Sequence, residues 1–537
     1  MKKVKVIILG ILSTLVFVSC EAGYQLKEKY VDKPAYGDTI VEASIGEPAT
    51  LNPILASDSS SFDIIGMVFN GLIKYDKDLK LTGDLAEKWK VSPNGLKITF
   101  YLKKGVLFHD NVEFTAEDVK FTYEKFMDPK AKTAYRSLFE LVQSIKIIDK
   151  YTLVVTYKKP FAPALETWGA AILPKHLLEG KDINTDAFGR NPVGTGPYVF
   201  KKWITASKIE LTANPTYFEG SPYIKNYIYN IIPDQAAQYM GLQAGNIDEM
   251  GMTPDQYFSS DKNKNVTKNF NKFQIPAFSF VYIGYNEANK LFASKKVRQA
   301  LAYAINKQEI IDIIRRGLAR PITGPFIPGT YAYNEAVKGY DYDPEKSKTL
   351  LAEAGWKPGK DGILEKDSIK FSFTLLTNQG NKEREQIATI VQQQLSKLGI
   401  TVEVRVLAWN IFITEFVNKR KFDALVMGWS LSRDPDCYDI WHSSKTGENE
   451  FNFISYKNPQ VDRLLEAGRT TFDLTKRKQS YNKIHAIIAE DAPYTFLYTP
   501  LSTPAIHKRF HGIIPAPAGL GYNFTKWYVP EEIQKYK

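Results

Sequence analysis

The spacing of hydrophobic residues predicts a chain in which strands and helices alternate. Polar and apolar residues alternate in segments 97–102 and 152–157, a period of two that is typical of half-buried strands. Farther along, apolar residues three or four positions apart form one stripe from Val297 to Ile305 and another from Ile387 to Leu398, which predicts two helices. Since the alternating segment 402–406 follows the second helix, we expect an α/β fold.

Capping residues mark where several of these elements begin or end. Thr115 has Asp118 three positions later, the spacing of a capping box, so a helix should begin at the next residue. Asp343 precedes Pro344, a residue that suits the first turn of a helix. Gly399 should end the second striped helix, because glycine readily takes the left-handed conformation that follows many helices.

The stretch 422–442 combines a buried strand with a polar turn. Its first six residues, FDALVM, carry one charge and predict a strand that is covered on both faces. Gly428 and Trp429 follow, and then comes a polar segment in which Asp434-Pro435 cannot continue a strand. Many folds build one wall of a ligand pocket in this way. The alternative is an ordinary core strand that ends in a turn.

Composition indicates a globular protein with two or three domains, because 537 residues are too many for one core. The net charge is +11, but no run of five Lys or Arg residues occurs, so a solvated surface is favoured and no nucleic-acid partner is expected. The chain contains 31 Tyr residues, which suit the partly hydrated wall of a binding site.

The N-terminus has the pattern of a targeting segment. Three lysines precede an apolar run at 6–18, which is short for a membrane span and fits a signal peptide. Ser19-Cys20 then resembles a bacterial lipobox, although Phe17 stands where leucine is usual. The resemblance implies removal of residues 1–19, a lipid on Cys20, a polar tether over 20–36, and an extracytoplasmic protein anchored to the cell membrane. Cleavage by ordinary signal peptidase is the alternative.

Motifs of enzymes and metal sites are absent from the sequence. No Gly-x-Ser-x-Gly, His-Glu-x-x-His or Gly-rich dinucleotide motif occurs. His507 and His511 are four residues apart, but their Pro-rich surroundings favour a surface loop over a metal pair. With Cys20 modified, Cys437 would lack a disulfide partner. We therefore expect no enzymatic activity, no metal and no cofactor.

A series of segments resembles the family 5 extracellular solute-binding proteins, the oligopeptide- and dipeptide-binding lipoproteins of ABC importers. In chain order, the segments are EPATLNP, FNGLIKYD, LTGDLAEKW, SPNGLKITFYLKKGVLFHD, FTAEDVKFTYEKFMDP, NPVGTGPYVFKKW, KKVRQALAYAINKQEII and LLAEAGW. The resemblance implies a monomer with a periplasmic-binding-protein-like α/β fold, in which two lobes joined by a hinge carry an additional small domain. It divides the chain into lobe I (37–75, 198–286 and 500–537), domain II (76–197) and lobe III (287–499).

The resemblance also implies where a ligand binds. An extended ligand would lie between lobes I and III, held through its main chain, while its side chains enter hydrated pockets. The strand at 428, a second cleft tryptophan at 409 and the facing loop 55–61 would form the walls, although each tryptophan could instead pack in the core. The residues expected to line this site are Ala56, Ser57, Trp409, Gly428, Trp429, Ser430, Arg433, Asp434 and Asp436.

Two charged residues would distinguish this site from its relatives. In the best-known oligopeptide binders, an aspartate shortly after the Gly-Trp pair holds the amine of the peptide. Here the first acid is Asp434, which we expect to take this role, whereas paired acids such as Asp434 and Asp436 acting in acid–base chemistry are less favoured. Arg433 should bind an anionic group, or else form a salt bridge with one of these aspartates.

The expected function is that of a substrate-binding lipoprotein, which delivers peptides to a membrane permease driven by separate ATPase subunits. Another solute, such as an oligosaccharide, a nickel chelate, haem or an opine, is the alternative within the same role. A secreted hydrolase would need an activated nucleophile or a metal, and the sequence offers neither. A receptor or chaperone at the cell surface is a third alternative.

Overall fold

The computed structural model describes residues 32–536 and contains two seven-stranded sheets and one four-stranded sheet. We use lobe I and lobe III for the parts built on the two large sheets, and domain II for the part built on the smaller one. The predicted signal segment and Cys20 lie outside the described residues. Within residues 32–536, no helix combines the length and apolar character that a membrane span requires.

Lobe I is built on a mixed sheet whose three central strands run parallel. In order across the sheet, its strands are Phe270–Lys272, Pro504–His507, Glu249–Gly251, Gly37–Ser44, Ile224–Ile231, Lys208–Ala213 and Tyr198–Ile204. Its helices are Ser59–Val68, Gln235–Gln243, Pro254–Ser259 and Lys264–Asn269. Asp58 caps the first of these helices, since its Oδ1 accepts a hydrogen bond from the Ser61 N–H at 3.1 Å.

Domain II is an antiparallel sheet covered by one long helix. The strands, in sheet order, are Ala86–Val91, Lys97–Leu102, Thr152–Tyr157 and Val142–Asp149, and the helices are Ala116–Met127, Ala164–Thr167 and Lys175–Leu178. A hairpin of Ile73–Tyr75 and Leu81–Gly83 precedes this sheet. The capping box of Thr115 and Asp118 is confirmed, as are the two predicted half-buried strands.

Lobe III packs helices against the second large sheet. In sheet order, its strands are Ile275–Pro276, Tyr494–Ser502, Ser279–Tyr285, Ala424–Ser430, Ser372–Asn378 and Thr401–Leu407, with Ala319–Pro321 also paired to Tyr494–Ser502. Its helices are Lys295–Ala304, Lys307–Ile310, Pro344–Glu353, Lys382–Ser396, Trp409–Ile411, Tyr438–Trp441, Pro459–Arg469 and Leu474–Asp491, with π-helical turns at Ile311–Arg315 and Phe412–Val417. A small sheet joins Lys357–Pro358, Leu364–Lys366 and Ile369–Lys370.

The helix boundaries predicted in lobe III are confirmed. Asp343 caps Pro344–Glu353 by accepting a hydrogen bond from the Lys346 N–H at 2.9 Å. Gly399 follows the helix Lys382–Ser396 with φ +75°, a conformation that glycine adopts without strain.

Sheet membership differs from the predicted division of the chain where the chain crosses between the lobes. Residues 275–276 and 500–502 were expected in lobe I, but they belong to two paired strands in the sheet of lobe III. Residues 279–285 were expected in lobe I, but Ser279–Tyr285 pairs along its whole length with Ala424–Ser430 and so belongs to the sheet of lobe III. The sequence could not reveal this, because an apolar strand fits either sheet and its partner is far along the chain. The other boundaries stay predictions.

The chain passes between lobe I and lobe III twice, and the two crossings lie side by side. Ile275 pairs with Ser502, and Pro276 pairs with Leu501. On either side of this short ladder, each strand joins a different large sheet. Two adjacent connections of this kind form a hinge about which lobes can rotate.

Candidate functional site

A cavity of about 980 Å³ lies between lobe I and lobe III. Two further cavities of about 340 and 640 Å³ adjoin it, and Ser432 lines all three. The three cavities are therefore neighbours, and we refer to them together as the cleft. Single ligand sites typically measure about 300–1,000 Å³, so the cleft has room for an extended ligand.

The strand Ala424–Ser430 ends at this cleft. Its first four residues are buried, whereas Gly428, Trp429 and Ser430 line the main cavity. One edge of the strand is fully paired with Ser279–Tyr285, but only two residues of its other edge pair, those at 424 and 425. The end of the strand consequently has an edge that is not occupied by another strand.

Both predicted cleft tryptophans line the main cavity, and each donates an indole hydrogen bond. Trp429 donates to the hydroxyl of Tyr494 at 3.2 Å and stacks on Phe453 with ring centroids 5.5 Å apart. Trp409 in lobe III donates to Oδ1 of Asp58 in lobe I at 3.1 Å. The second bond therefore crosses the cleft and links the lobes.

The facing loop reaches the cavity with only one of its two predicted residues. Ser57 lines the main cavity. Ala56 is 1% exposed and packs in the core of lobe I, because its N–H bonds to the carbonyl of Asn52 and turns the residue inward. The expectation that the Ala56 side chain lines the site is therefore wrong.

The two aspartates after Trp429 line the cleft, but each already has a cationic partner. Oδ1 of Asp434 accepts a hydrogen bond from Arg477 at 2.6 Å, and Asp436 forms an ion pair with Arg469 at 3.0 Å. Burial outweighs Arg469 and raises the pKa of Asp436 to about 6. An amine that approaches Asp434 would thus share the carboxylate with Arg477.

Arg433 differs from these aspartates because it forms no ion pair among the described residues, although the carboxylate of Glu166 interacts with it electrostatically from a longer distance. Its guanidinium lies 4.3 Å from the ring centroid of Phe278. Within residues 32–536, no carboxylate lies within ion-pair distance of it, so the expected alternative of a salt bridge with Asp434 or Asp436 is wrong. The loop directs Arg433 toward Phe278, and the two aspartates toward the helices of lobe III.

A second arginine without an ion pair among the described residues lines the cavity and was missed by sequence reasoning. Nη1 of Arg384 donates to Asn378 at 2.8 Å, while Nε is buried and has no partner among the described residues. No ion pair forms with Arg384 in this part of the chain, and burial lowers its pKa. A Cβ on Gly428 would lie 3.1 Å from Nη2 of Arg384, so glycine leaves the room that the guanidinium needs. The KEREQ segment around Arg384 is typical of an exposed helix surface and gave no signal.

The structure does not bring together the other candidate residues considered in the sequence, the histidines and Cys437, as a metal or thiol site within residues 32–536. No cluster of three His, Cys, Asp or Glu residues suited to a metal ion occurs among residues 32–536. His507 is the last residue of the strand Pro504–His507, where a surface loop was expected. Cys437 is buried beside the main cavity, and burial raises the pKa of its thiol.

Comparison with known proteins agrees with this architecture. The family model for bacterial extracellular solute-binding proteins, family 5 Middle, matches residues 80–451. The oligopeptide-binding protein AppA of Bacillus subtilis (strain 168) is 38% identical over 548 residues, covering 98% of this chain and 99% of AppA.

Solved structures give the same result. The structure of AppA from Bacillus subtilis in complex with a nonapeptide matches with a TM-score of 0.89 and 39% identity, covering 93% of this chain and 100% of that chain. NikZ from Campylobacter jejuni in complex with Ni(L-His) matches with a TM-score of 0.83 and 29% identity, covering 91% and 99%. The predicted periplasmic-binding-protein-like α/β fold is confirmed. The chain therefore belongs to family 5 of the bacterial extracellular solute-binding proteins, which are extracytoplasmic transport proteins and not enzymes.

Proposed function

We propose that this protein is the lipid-anchored substrate-binding subunit of an ABC importer, which captures peptides in the interlobe cleft and delivers them to a membrane permease. The observation that carries the proposal is the interlobe cleft in which Arg384 forms no ion pair with a described residue and lies beside the unpaired strand edge at Gly428. A peptide supplies what this arrangement lacks, namely a main chain that can add to a strand edge and a terminal carboxylate.

Each part of the site then has a role. The peptide main chain pairs with the open edge at 428–430, while Trp409 and Trp429 form apolar walls. Arg384 or Arg433 receives the carboxylate, and the adjoining cavities accept side chains. Asp434 can receive the amine only as a shared acceptor with Arg477.

A peptide is favoured over other cargo by the likeness to AppA, which extends over almost the whole chain and includes a structure with a bound nonapeptide. A metal chelate is the second candidate, because NikZ has been crystallised with Ni(L-His). A chelate carries carboxylates that Arg384 could bind, but it offers no chain long enough to use all three cavities.

Calorimetry with the purified mature protein would decide between the two. We expect binding of a peptide pool and little response to nickel–histidine or an oligosaccharide. Arg384→Met should weaken peptide binding about 10- to 100-fold, because a charged hydrogen-bond partner is lost. Arg405→Met, an exposed arginine on the strand Thr401–Leu407, is the matched control and should bind normally. Tight binding of nickel–histidine or sugar without any response to peptides would refute the proposal.

The lipid anchor is tested separately. Cys20→Ala should release the protein from the membrane fraction into the soluble extracytoplasmic fraction, because the lipid could no longer be attached to the tether. Membrane association that survives this substitution would contradict the anchor, without bearing on the ligand.

A further inference from the structure

The loop 431–436, which we call the cleft loop, lines all three cavities of the cleft from the side of lobe III, as the helix Ser59–Val68 does from lobe I. All six of its residues line the main cavity, and Ser432 also lines the two smaller ones. The loop forms no helix or strand. Its conformation therefore depends on contacts with other segments, since no regular hydrogen-bond ladder holds it.

Most of these anchors come from lobe III itself. The N–H of Leu431 donates to the carbonyl of Phe278 at 2.9 Å, Arg477 holds the carboxylate of Asp434, and Arg469 holds Asp436. These contacts fix side chains and the start of the loop.

One anchor of the loop backbone comes from domain II. Oε2 of Glu166 accepts a hydrogen bond from the N–H of Asp434 at 3.1 Å. A second, indirect link passes through Arg469, whose guanidinium contacts Glu140 of domain II at 3.2 Å. The loop is therefore held between two parts of the molecule.

Glu166 stands on a rigid support. It belongs to the short helix Ala164–Thr167, and Trp168 directly after this helix is 1% exposed in the domain II core. The carbonyl of Trp168 accepts a hydrogen bond from the N–H of Leu72 at 2.7 Å, which ties the segment to the hairpin beside lobe I. A carboxylate on such a support can hold a flexible partner in one place.

We infer that Glu166 is a positioning residue, through which domain II keeps the cleft loop in the conformation that binds ligand. Its effect on peptide affinity rests on the proposed function, whereas its effect on the loop does not. A preorganised loop raises affinity because less conformational freedom is lost on binding. Domain II, which contributes few residues to the main cavity, thereby gains a role in binding.

Three substitutions of Glu166 separate the effect of side-chain length from the effect of charge. Glu166→Gln keeps an acceptor oxygen at the same distance but removes the charge. Glu166→Asp keeps the charge but is one methylene too short, and Glu166→Ala lacks both. Glu124→Ala, an exposed carboxylate on the domain II helix that pairs with Lys120, is the control.

Hydrogen exchange of the unliganded protein tests the inference without any ligand. Amides of the cleft loop should exchange about ten-fold faster in the Asp and Ala variants than in the wild type, the Gln variant and the control. Equal exchange in all five proteins would overturn the inference, and thermal unfolding would identify any variant that fails to fold. Glu166→Gln keeps the test valid if Glu166→Ala misfolds.

Peptide titration is the second test of the role of Glu166. If wild type binds, the Asp and Ala variants should bind neutral and basic peptides about ten-fold more weakly, while the Gln variant binds normally. A loss limited to basic peptides and shared by the Gln variant would instead make Glu166 a direct ligand contact and overturn the positioning role. Absence of peptide binding by wild type would count against the proposed function alone.

Discussion

At the scale of single residues, charge compensation decides which groups in the cleft remain available to a ligand. Asp434 and Asp436 are satisfied by arginines from the two helices Pro459–Arg469 and Leu474–Asp491. Arg384 and Arg433 have no such partners among residues 32–536, so lobe III presents positive charge that is not held in ion pairs. From the sequence, Asp434 was expected to be an open acceptor, whereas an Arg433 available to an anionic group was itself one of the expectations, and Arg384 was missed.

The pair of Asp434 and Arg477 should contribute to stability as well as to the site. Their side chains are only 14% and 7% exposed, so removing one charge leaves the other buried without a partner. We expect Asp434→Asn to lower the free energy of unfolding by about 2 kcal/mol, as measured by urea denaturation. Asp78→Asn, which breaks an exposed pair with Lys77, should change it by less than about 0.5 kcal/mol. Equal effects would show that the buried pair is not formed in solution.

Two glycines in the cleft should respond to alanine with opposite signs. A Cβ on Gly428 would lie 2.9 Å from the backbone oxygen of Phe280, which cannot move freely, so Gly428→Ala should destabilise the protein by about 1–3 kcal/mol. Gly66 lies in the helix Ser59–Val68 with nothing within 4 Å of a Cβ, so Gly66→Ala should stabilise it by about 0.5–1 kcal/mol. Thermal unfolding would measure both, and a stabilised Gly428→Ala would contradict the close strand packing.

At the scale of elements, the helix Leu474–Asp491 buries a histidine that should control stability in acid. His485 is 0% exposed, and its nitrogens hydrogen-bond to the hydroxyl of Thr323 and the N–H of Asn334. Burial lowers the pKa of His485 from 6.5 to about 4. The unfolded chain therefore binds a proton at pH values where the folded chain does not.

The sign of this effect follows from linkage. The stability contributed by neutral His485 is complete above pH 6.5 and is lost as the pH falls from 6.5 toward 4, by about 3 kcal/mol in total. His485→Gln should remove this part of the pH dependence, whatever its effect at neutral pH. Unfolding free energies measured from pH 7 to pH 4 would show the difference in slope, and parallel profiles would contradict it.

Elements were predictable wherever their signals are local. The caps at Thr115 and Asp343 and the alternation in Lys97–Leu102 depend on neighbouring residues, and all three are confirmed. A strand before the polar turn was also predicted, from the apolar run 422–427, although the strand Ala424–Ser430 begins two residues later and continues through Gly428.

The rest of the site depends on contacts between distant elements. Glu166 lies 268 residues from the loop residue that it contacts, and no local sequence pattern predicts this contact. Arg384 lies on a helix whose charged residues are typical of a solvated face, so its burial emerges only when the helix packs beside Gly428. Ser279–Tyr285 was placed in the wrong lobe for the same reason, since strand pairing is a tertiary property.

At the scale of the whole molecule, a hinge and a set of contacts across the cleft suit a closing motion. The two crossings between the lobes share a ladder of only two residue pairs, so rotation there disturbs little hydrogen bonding. Between the lobes, Trp409 bonds to Asp58, and the N–H of Lys382 donates to the side-chain oxygen of Gln235 at 3.1 Å. These contacts can exist only while the lobes are close together.

Trp409→Phe would test whether this closure retains the ligand. The substitution keeps an aromatic wall but removes the hydrogen bond to Asp58, which forms only in the closed arrangement. We expect peptide dissociation to become about 3- to 10-fold faster, with little change in the association rate, because the bond stabilises the complex after the lobes have met. Trp203→Phe is the matched control, since its indole donates to Glu47 within lobe I at 2.9 Å and should leave both rates unchanged. If stopped-flow measurements gave equal dissociation rates for the two variants, the bond between Trp409 and Asp58 would have no part in holding the lobes around the peptide.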